Sequence, residues 1–272
     1  MKRHSRGGFT LAELMVVAVL GTLIAAAALQ ILITNQRAYT AQGAAISGQQ
    51  STRMALEVLF SELREVSAAG GDLLVMGGDS IRVRLMRRFS YVCETDFSGQ
   101  PELIVRNLGG RKFAAGDSVF VYADNDEGNT NDDAWIEARV SAIDSTDQCP
   151  QDSTAATELT FNGQSSLFSA DSVGVGAPVR SYEKFTFGVT TLLGDPFLAR
   201  RSGSDATFVP IAGPLAASNG LTFAYLDRFG NTTTNPLNVR QIVVTIRTGS
   251  GVMNSLGRPV SDSITAWIYT RN

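Results

Sequence analysis

The chain begins with a short polar stretch, Met1 to Gly8, that holds Lys2, Arg3 and Arg6. Apolar positions then run from Phe9 to Ile33, with Glu13 the one ionisable side chain among them. From Leu14 to Ile33 only Gly21, Thr22 and Gln30 break the run. About twenty such residues in a helix rise about 30 Å, the thickness of a bilayer's hydrocarbon core. Basic residues precede the run and none follows until Arg37, so the leader stays in the cytoplasm and the rest is sent outward. Thr34 to Gly43 is small and polar, without proline. Beyond Ile46 the pattern becomes amphipathic: Leu56, Leu59, Phe60, Leu63 and Val66 share one face, and Arg53, Glu57, Glu62 and Arg64 lie off it. Arg53 and Glu57 make an i,i+4 pair. One helix is therefore predicted from Phe9 to about Ala68, roughly 90 Å long, ended by Ala69-Gly70-Gly71. Gly43 and Gly48 weaken its middle.

After Asp72 the period changes to two, with β-branched runs between turn residues. Strands are predicted near 73–75, 80–85, 102–106, 118–122, 135–143, 158–161, 179–189, 197–200, 207–211, 221–226, 240–247 and 263–269, with at most a helical turn at 168–172. The fold class is α+β: a long N-terminal transmembrane or filament helix, then a β-rich globular domain. The divisions are a leader over 1–8, a helix over 9–69 (membrane-spanning over 9–33, amphipathic over 34–69) and a domain over 70–272. Some two hundred residues are enough for one sizeable core.

Composition narrows the chemistry. The only histidine is His4. Without the leader the chain has none, which excludes a Ser-His-Asp arrangement and any His-containing zinc site. Removing Lys2, Arg3 and Arg6 leaves 20 basic against 26 acidic side chains, a balance of −6. That argues against a nucleic-acid partner. Cys93 and Cys149 lie far apart with no Cys-x-x-Cys, and outside the cytoplasm one disulfide is the default reading; two buried thiols are the alternative. Asp124, Asp126, Asn129, Asn131, Asp132 and Asp133 crowd oxygen donors into one loop. Such donors suit calcium, although the spacing departs from the EF-hand template, and a solvated hairpin loop explains them equally. Arg82, Arg84, Arg87 and Arg88 form the one basic cluster, read as a charged sheet edge or a contact for an acidic neighbour.

Gly8-Phe9-Thr10-Leu11-Ala12-Glu13-Leu14 resembles the processing site of type IV prepilins: a small residue, then Phe-Thr-Leu-x-Glu, then an apolar run. Later segments resemble PilW-type minor pilins and the related J-type pseudopilins of type II secretion. These are Phe113-Ala-Ala-Gly-Asp117, Val179-Arg-Ser-Tyr182 and Leu221-Thr-Phe-Ala-Tyr-Leu-Asp227. The resemblance implies that a prepilin peptidase cuts between Gly8 and Phe9 and methylates Phe9. Glu13 would then neutralise the new α-amine of a neighbouring subunit. Other major and minor pilins and an inner-membrane assembly platform are the implied partners, no enzyme activity is implied, and calcium is the one cofactor to consider. The location implied is the bacterial inner membrane, single-pass, with the domain periplasmic, then a pilus or pseudopilus. Ala12 stands where a larger aliphatic residue is usual, and Gln30 stands where major pilins commonly carry proline. Both the missing proline and the size suit a minor subunit. Three readings compete with a minor pilin: a J-type pseudopilin, a membrane-anchored periplasmic binding protein, and a secretory signal cut near Ala25–Ala28. An ionised residue inside the membrane costs about 3 kcal/mol, and only the pilin-like reading gives Glu13 a partner.

Overall fold

The computed structural model describes residues 10–124, 133–169, 172–203, 205, 207–254 and 256–271. Among them one α-helix, α1 (Leu11–Leu63), precedes thirteen strands. These are β1 (Leu73–Met76), β2 (Ile81–Asp96), β3 (Glu102–Arg106), β4 (Ser118–Ala123), β5 (Ala134–Arg139), β6 (Ala142–Asp144), β7 (Ala156–Thr160), β8 (Pro178–Leu192), β9 (Asp195–Ser202), β10 (Val209–Ala212), β11 (Leu221–Leu226), β12 (Gln241–Met253) and β13 (Pro259–Tyr269). Single 3-10 turns occur at Ser165–Leu167 and Pro236–Asn238.

All the paired strands run antiparallel. The large sheet has the order β10-β9-β8-β2-β3-β7-β6, with β1 on β2 and the β4–β5 hairpin on β8. A second sheet has the order β11-β12-β13. The second half of α1 lies between the two. Its buried Ala55, Leu59 and Leu63 pack with Ile81, Val83, Phe185 and Phe187 of the large sheet and with Ile242, Val244 and Ile246 of β12. Ser51 Oγ donates to the Gly213 carbonyl at 2.7 Å, and Thr52 Oγ1 donates to Asp262 at 2.8 Å. Farther out, Val92, Leu103, Val121, Leu159, Phe161 and Val179 head a second core that contains no residue of α1. A disulfide joins Cys93 on β2 to Cys149, Cα to Cα 5.5 Å, in a small cluster beside that core.

Three elements depart from the sequence reading. The helix ends at Leu63 rather than near Ala68, because tertiary pairing takes its last residues. Val66 accepts a hydrogen bond from Arg271 N–H at 2.9 Å, Ser67 forms a parallel bridge with Arg271, and Asp72 takes the Ser67 N–H at 3.1 Å. The strand expected over 80–85 continues to Asp96 across a bulge between Met86 and Arg88. Charge at 87–88 does not stop it, since Arg87 pairs with Glu62 at 3.0 Å and with Glu183 at 3.3 Å, and Arg88 pairs with Asp117. The expected strand over 135–143 is two strands. Val140 turns to the Asp117 carbonyl at 2.9 Å, and the chain passes from β4 to β7 as its pairing partner.

The charged-edge reading of the arginine cluster is overturned. β2 is an interior strand, bonded to β8 on one side and to β1 and β3 on the other. Arg87 and Arg88 are bound in internal ion pairs, which leaves Arg82 and Arg84.

Candidate functional site: the head of the long helix

Thr10 is the N-cap of α1 and has extended backbone geometry. Its side chain accepts a hydrogen bond from Glu13 N–H at 3.3 Å, and Glu13 Oε2 accepts from Thr10 N–H at 2.9 Å and from Thr10 Oγ1 at 3.0 Å. This is a capping box, which satisfies N–H groups that a helix start otherwise leaves bare. A carboxylate in the first turn also meets the positive end of the helix dipole. The Thr-x-x-Glu spacing carries this signal in the sequence, and the reading of Glu13 as an assembly charge passed over it. Glu13 thus caps the helix together with Thr10, which belongs to the site.

Behind the cap the helix is bare. Between Leu11 and Ile33 the large apolar side chains are each 44–76% exposed. At about 1.5 kcal/mol or more per side chain, withdrawing this surface from water is worth on the order of 20 kcal/mol. That exceeds the stability of an ordinary domain, so this half of α1 is built to be covered. By length and composition it can cross a membrane. Thr22 and Thr34 place their hydroxyls on the carbonyls of Val19 and Gln30 at 2.8 Å, so neither leaves a bare donor in an apolar setting.

Gly8 and Phe9, the expected cutting and methylation positions, lie outside the described residues. So do Asp126, Asn129, Asn131 and Asp132 of the expected calcium loop. Asp124 and Asp133 flank that loop between β4 and β5, and Asp124 N–H donates to the Ser172 carbonyl at 2.8 Å. Among the described residues no group of three or more His, Cys, Asp or Glu is arranged to hold a metal ion. Cys93 and Cys149 are both buried, and the Gln151 amide donates to the Cys93 carbonyl at 2.7 Å. Beside them, hydrogen bonds from the Thr154 hydroxyl and N–H, then the Arg106 guanidinium, lower the Asp152 carboxyl to about 2.

A different electrostatic centre lies where α1 joins the domain. Burial raises the Asp72 carboxyl, against a hydrogen bond from Ser67 N–H and the charges of Arg180, Arg84 and Arg271. Burial lowers the neighbouring Arg180. Tyr182, buried and donating to Glu137, is pushed up to about 12. Packing, hydrogen bonds and ring contacts hold the groups of this region.

Residues 3–29 match the family model for the prokaryotic N-terminal methylation motif. No curated protein and no solved structure matches the chain. The matched stretch runs from the basic N-terminal residues through the capped Glu13 into the exposed half of α1. Proteins with this motif assemble in a membrane with other pilins after a prepilin peptidase has acted, and as a rule they are structural rather than enzymatic. The motif and the single apolar helix support inner-membrane anchoring of a globular C-terminal domain. Together they support a type IV prepilin-like family, pilin or pseudopilin.

Proposed function

We propose that the chain is a minor type IV pilin of the PilW type, a non-enzymatic subunit that primes or caps a filament. A prepilin peptidase cuts between Gly8 and Phe9 and methylates the new amine. The domain then stands in the periplasm, and the bare half of α1 moves from the bilayer into the bundle of helices at the filament core. The amine at Phe9 has an ordinary pKa near 8 and is cationic at neutral pH. A cation at the positive end of a helix dipole needs a carboxylate nearby. Glu13 of the adjoining subunit supplies it, and the pairing sets the axial register in a medium of low dielectric.

The observation that carries this reading is Glu13 itself. It is the fifth residue after the expected cut, at the head of an uncovered apolar helix, with one carboxylate oxygen on the cap and Oε1 taking no hydrogen bond from the described residues. Glutamine also serves in a capping box, so Glu13→Gln keeps the cap and removes the charge. The variant is expected to be cut and methylated at the normal rate and to be missing from sheared surface filaments. Normal incorporation would sink the role given to Glu13, whereas absence of the unaltered chain from filaments as well would favour an anchored binding protein that never polymerises. Recovery in a secretion apparatus instead of surface filaments would favour a J-type pseudopilin.

A further inference from the structure

The outer side of the large sheet, turned away from α1, collects positive charge that no described ion pair neutralises. Directly paired residues share a side of a sheet, as do alternate residues along a strand. Arg82 pairs with Thr186 and Thr186 with Arg201, while Arg84 pairs with Lys184. Tyr182 pairs with Ser118 and Ser118 with Arg139; Arg180 pairs with Phe120 and Phe120 with Glu137. The inner side of the same rows holds Val83, Phe185 and Phe187, which pack on α1. The outer side therefore bears Arg82, Arg84, Arg139, Arg180, Lys184 and Arg201, and across these rows Glu137 is the one acid. The chain as a whole is acidic, at −3.

None of these six cations forms an ion pair with a described residue. Asp72, at the margin, is the buried carboxylate whose charge reaches Arg84 and Arg180. The Nε atoms of Arg82, Arg84 and Arg180 are buried without a partner. Aromatic rings hold the heads in place: Arg84 lies 5.3 Å from the Phe120 ring, and Arg180 lies 5.0 Å from Phe120 and 4.4 Å from Trp135. Lys184 lies 5.8 Å from the Tyr182 ring. Stacking of this kind fixes a guanidinium without using up its N–H donors. Like cations only about 5–7 Å apart on a sheet repel one another, and a fold retains such a set at a cost that an anionic partner removes.

We propose that this outer face docks an acidic surface of another protein, guanidinium forks meeting carboxylates. The arginines suit the planar geometry of a carboxylate, which a guanidinium can bind through two parallel hydrogen bonds. Single-stranded nucleic acid is disfavoured, because it needs free ring faces for its bases. Here Phe120 and Tyr182 are only 7% and 6% exposed, and cations already cover them. The proposal goes beyond the assembly reading, since it gives the domain a recognition surface whether or not the chain enters a filament.

The test uses the full chain in detergent and a dye-labelled polyglutamate peptide, read by fluorescence anisotropy. Binding is expected at low ionic strength and is expected to weaken about tenfold or more at physiological salt. A triple variant, R82Q/K184Q/R201Q, is expected to weaken it by a similar factor, whereas R53Q/R64Q on the helix leaves it unchanged. Near-ultraviolet circular dichroism checks the fold, and K184Q alone carries the comparison where the triple variant does not fold. No binding, or equal loss in the helix variant, overturns the proposal. Tighter binding of oligothymidylate of matched charge also overturns it, in favour of a nucleic acid.

Discussion

The two halves of α1 follow one helical path and meet opposite fates. In the second half Ala55, Leu59 and Leu63 are fully buried between two sheets. In the first half residues as apolar as Leu20 and Ile24 are 54% and 71% exposed. The second half shows what a finished interface looks like: an apolar face on the core, hydroxyls spent on carbonyls, and Glu62 held by Arg87. The first half has the apolar surface and the satisfied backbone without the counterpart. Among the described residues nothing covers it, and under the proposed function the covering is lipid first and other subunits later. The domain repeats the contrast on a smaller scale. Its inner core leans on the helix, while its outer core has strands and loops, no residue of α1, and a disulfide at its side.

The largest expected effect breaks that second contrast. Replacing Cys93 and Cys149 by serine opens a loop whose ends are 56 residues apart. The chain-entropy relation gives about 4 kcal/mol for such a loop. Urea unfolding of the full chain in detergent should show the loss, with hydrogen exchange rising first in β3 and β7. Next comes Leu59→Ala, which leaves a cavity between helix and sheets and should cost about 2–5 kcal/mol in the same experiment. Its counterpart Leu20→Ala should leave domain unfolding unchanged and act on membrane partition alone. Equal losses from the two would erase the distinction between the halves.

Smaller effects sharpen the picture. Glu62→Gln removes a half-buried charge that Arg87 and Arg200 share, at 3.0 and 3.7 Å. The expected cost is about 1 kcal/mol, seen as a lowered Tm. The smallest effect concerns pH. Asp152 titrates at about 2 in the folded chain, below the ordinary carboxylate value near 4. The folded state therefore binds its proton less readily than the unfolded state does. Its stabilising contribution is complete above pH ~4 and is lost as pH falls toward 2. Asp152→Asn should flatten that acid limb: the variant is slightly less stable than the parent at neutral pH, and the difference closes as pH falls toward 2.

Much of this was legible in the residues. An apolar run of bilayer length with a single acid near its head announces itself, and so does strict alternation. β3 and β11 occur at the expected limits, 102–106 and 221–226, because their patterns match one buried face. What escaped depends on partners distant in the chain. The helix was expected to reach Ala68, and nothing local reveals that Arg271 claims Val66 and Ser67. The local pattern predicts that β2 stops before Arg87-Arg88, whose acids come from α1, β8 and the turn before β4. Arg82 and Arg84 were visible as a pair. Their grouping with Arg180, Lys184 and Arg201 is a matter of sheet register, which pairs residues about a hundred positions apart. At the helix head the acid was plain from composition, and the capping box needed only the spacing from Thr10 to Glu13.

The measurement that bears most directly on the bare half of α1 is the intact mass of the protein from its own host, with and without the prepilin peptidase. A mass that begins at Phe9 and carries one added methyl group, and that reverts to the uncut chain without the peptidase, is the predicted result. A mass that begins within 26–30, or an uncut chain in the presence of the peptidase, would contradict it and leave an exported or anchored β domain.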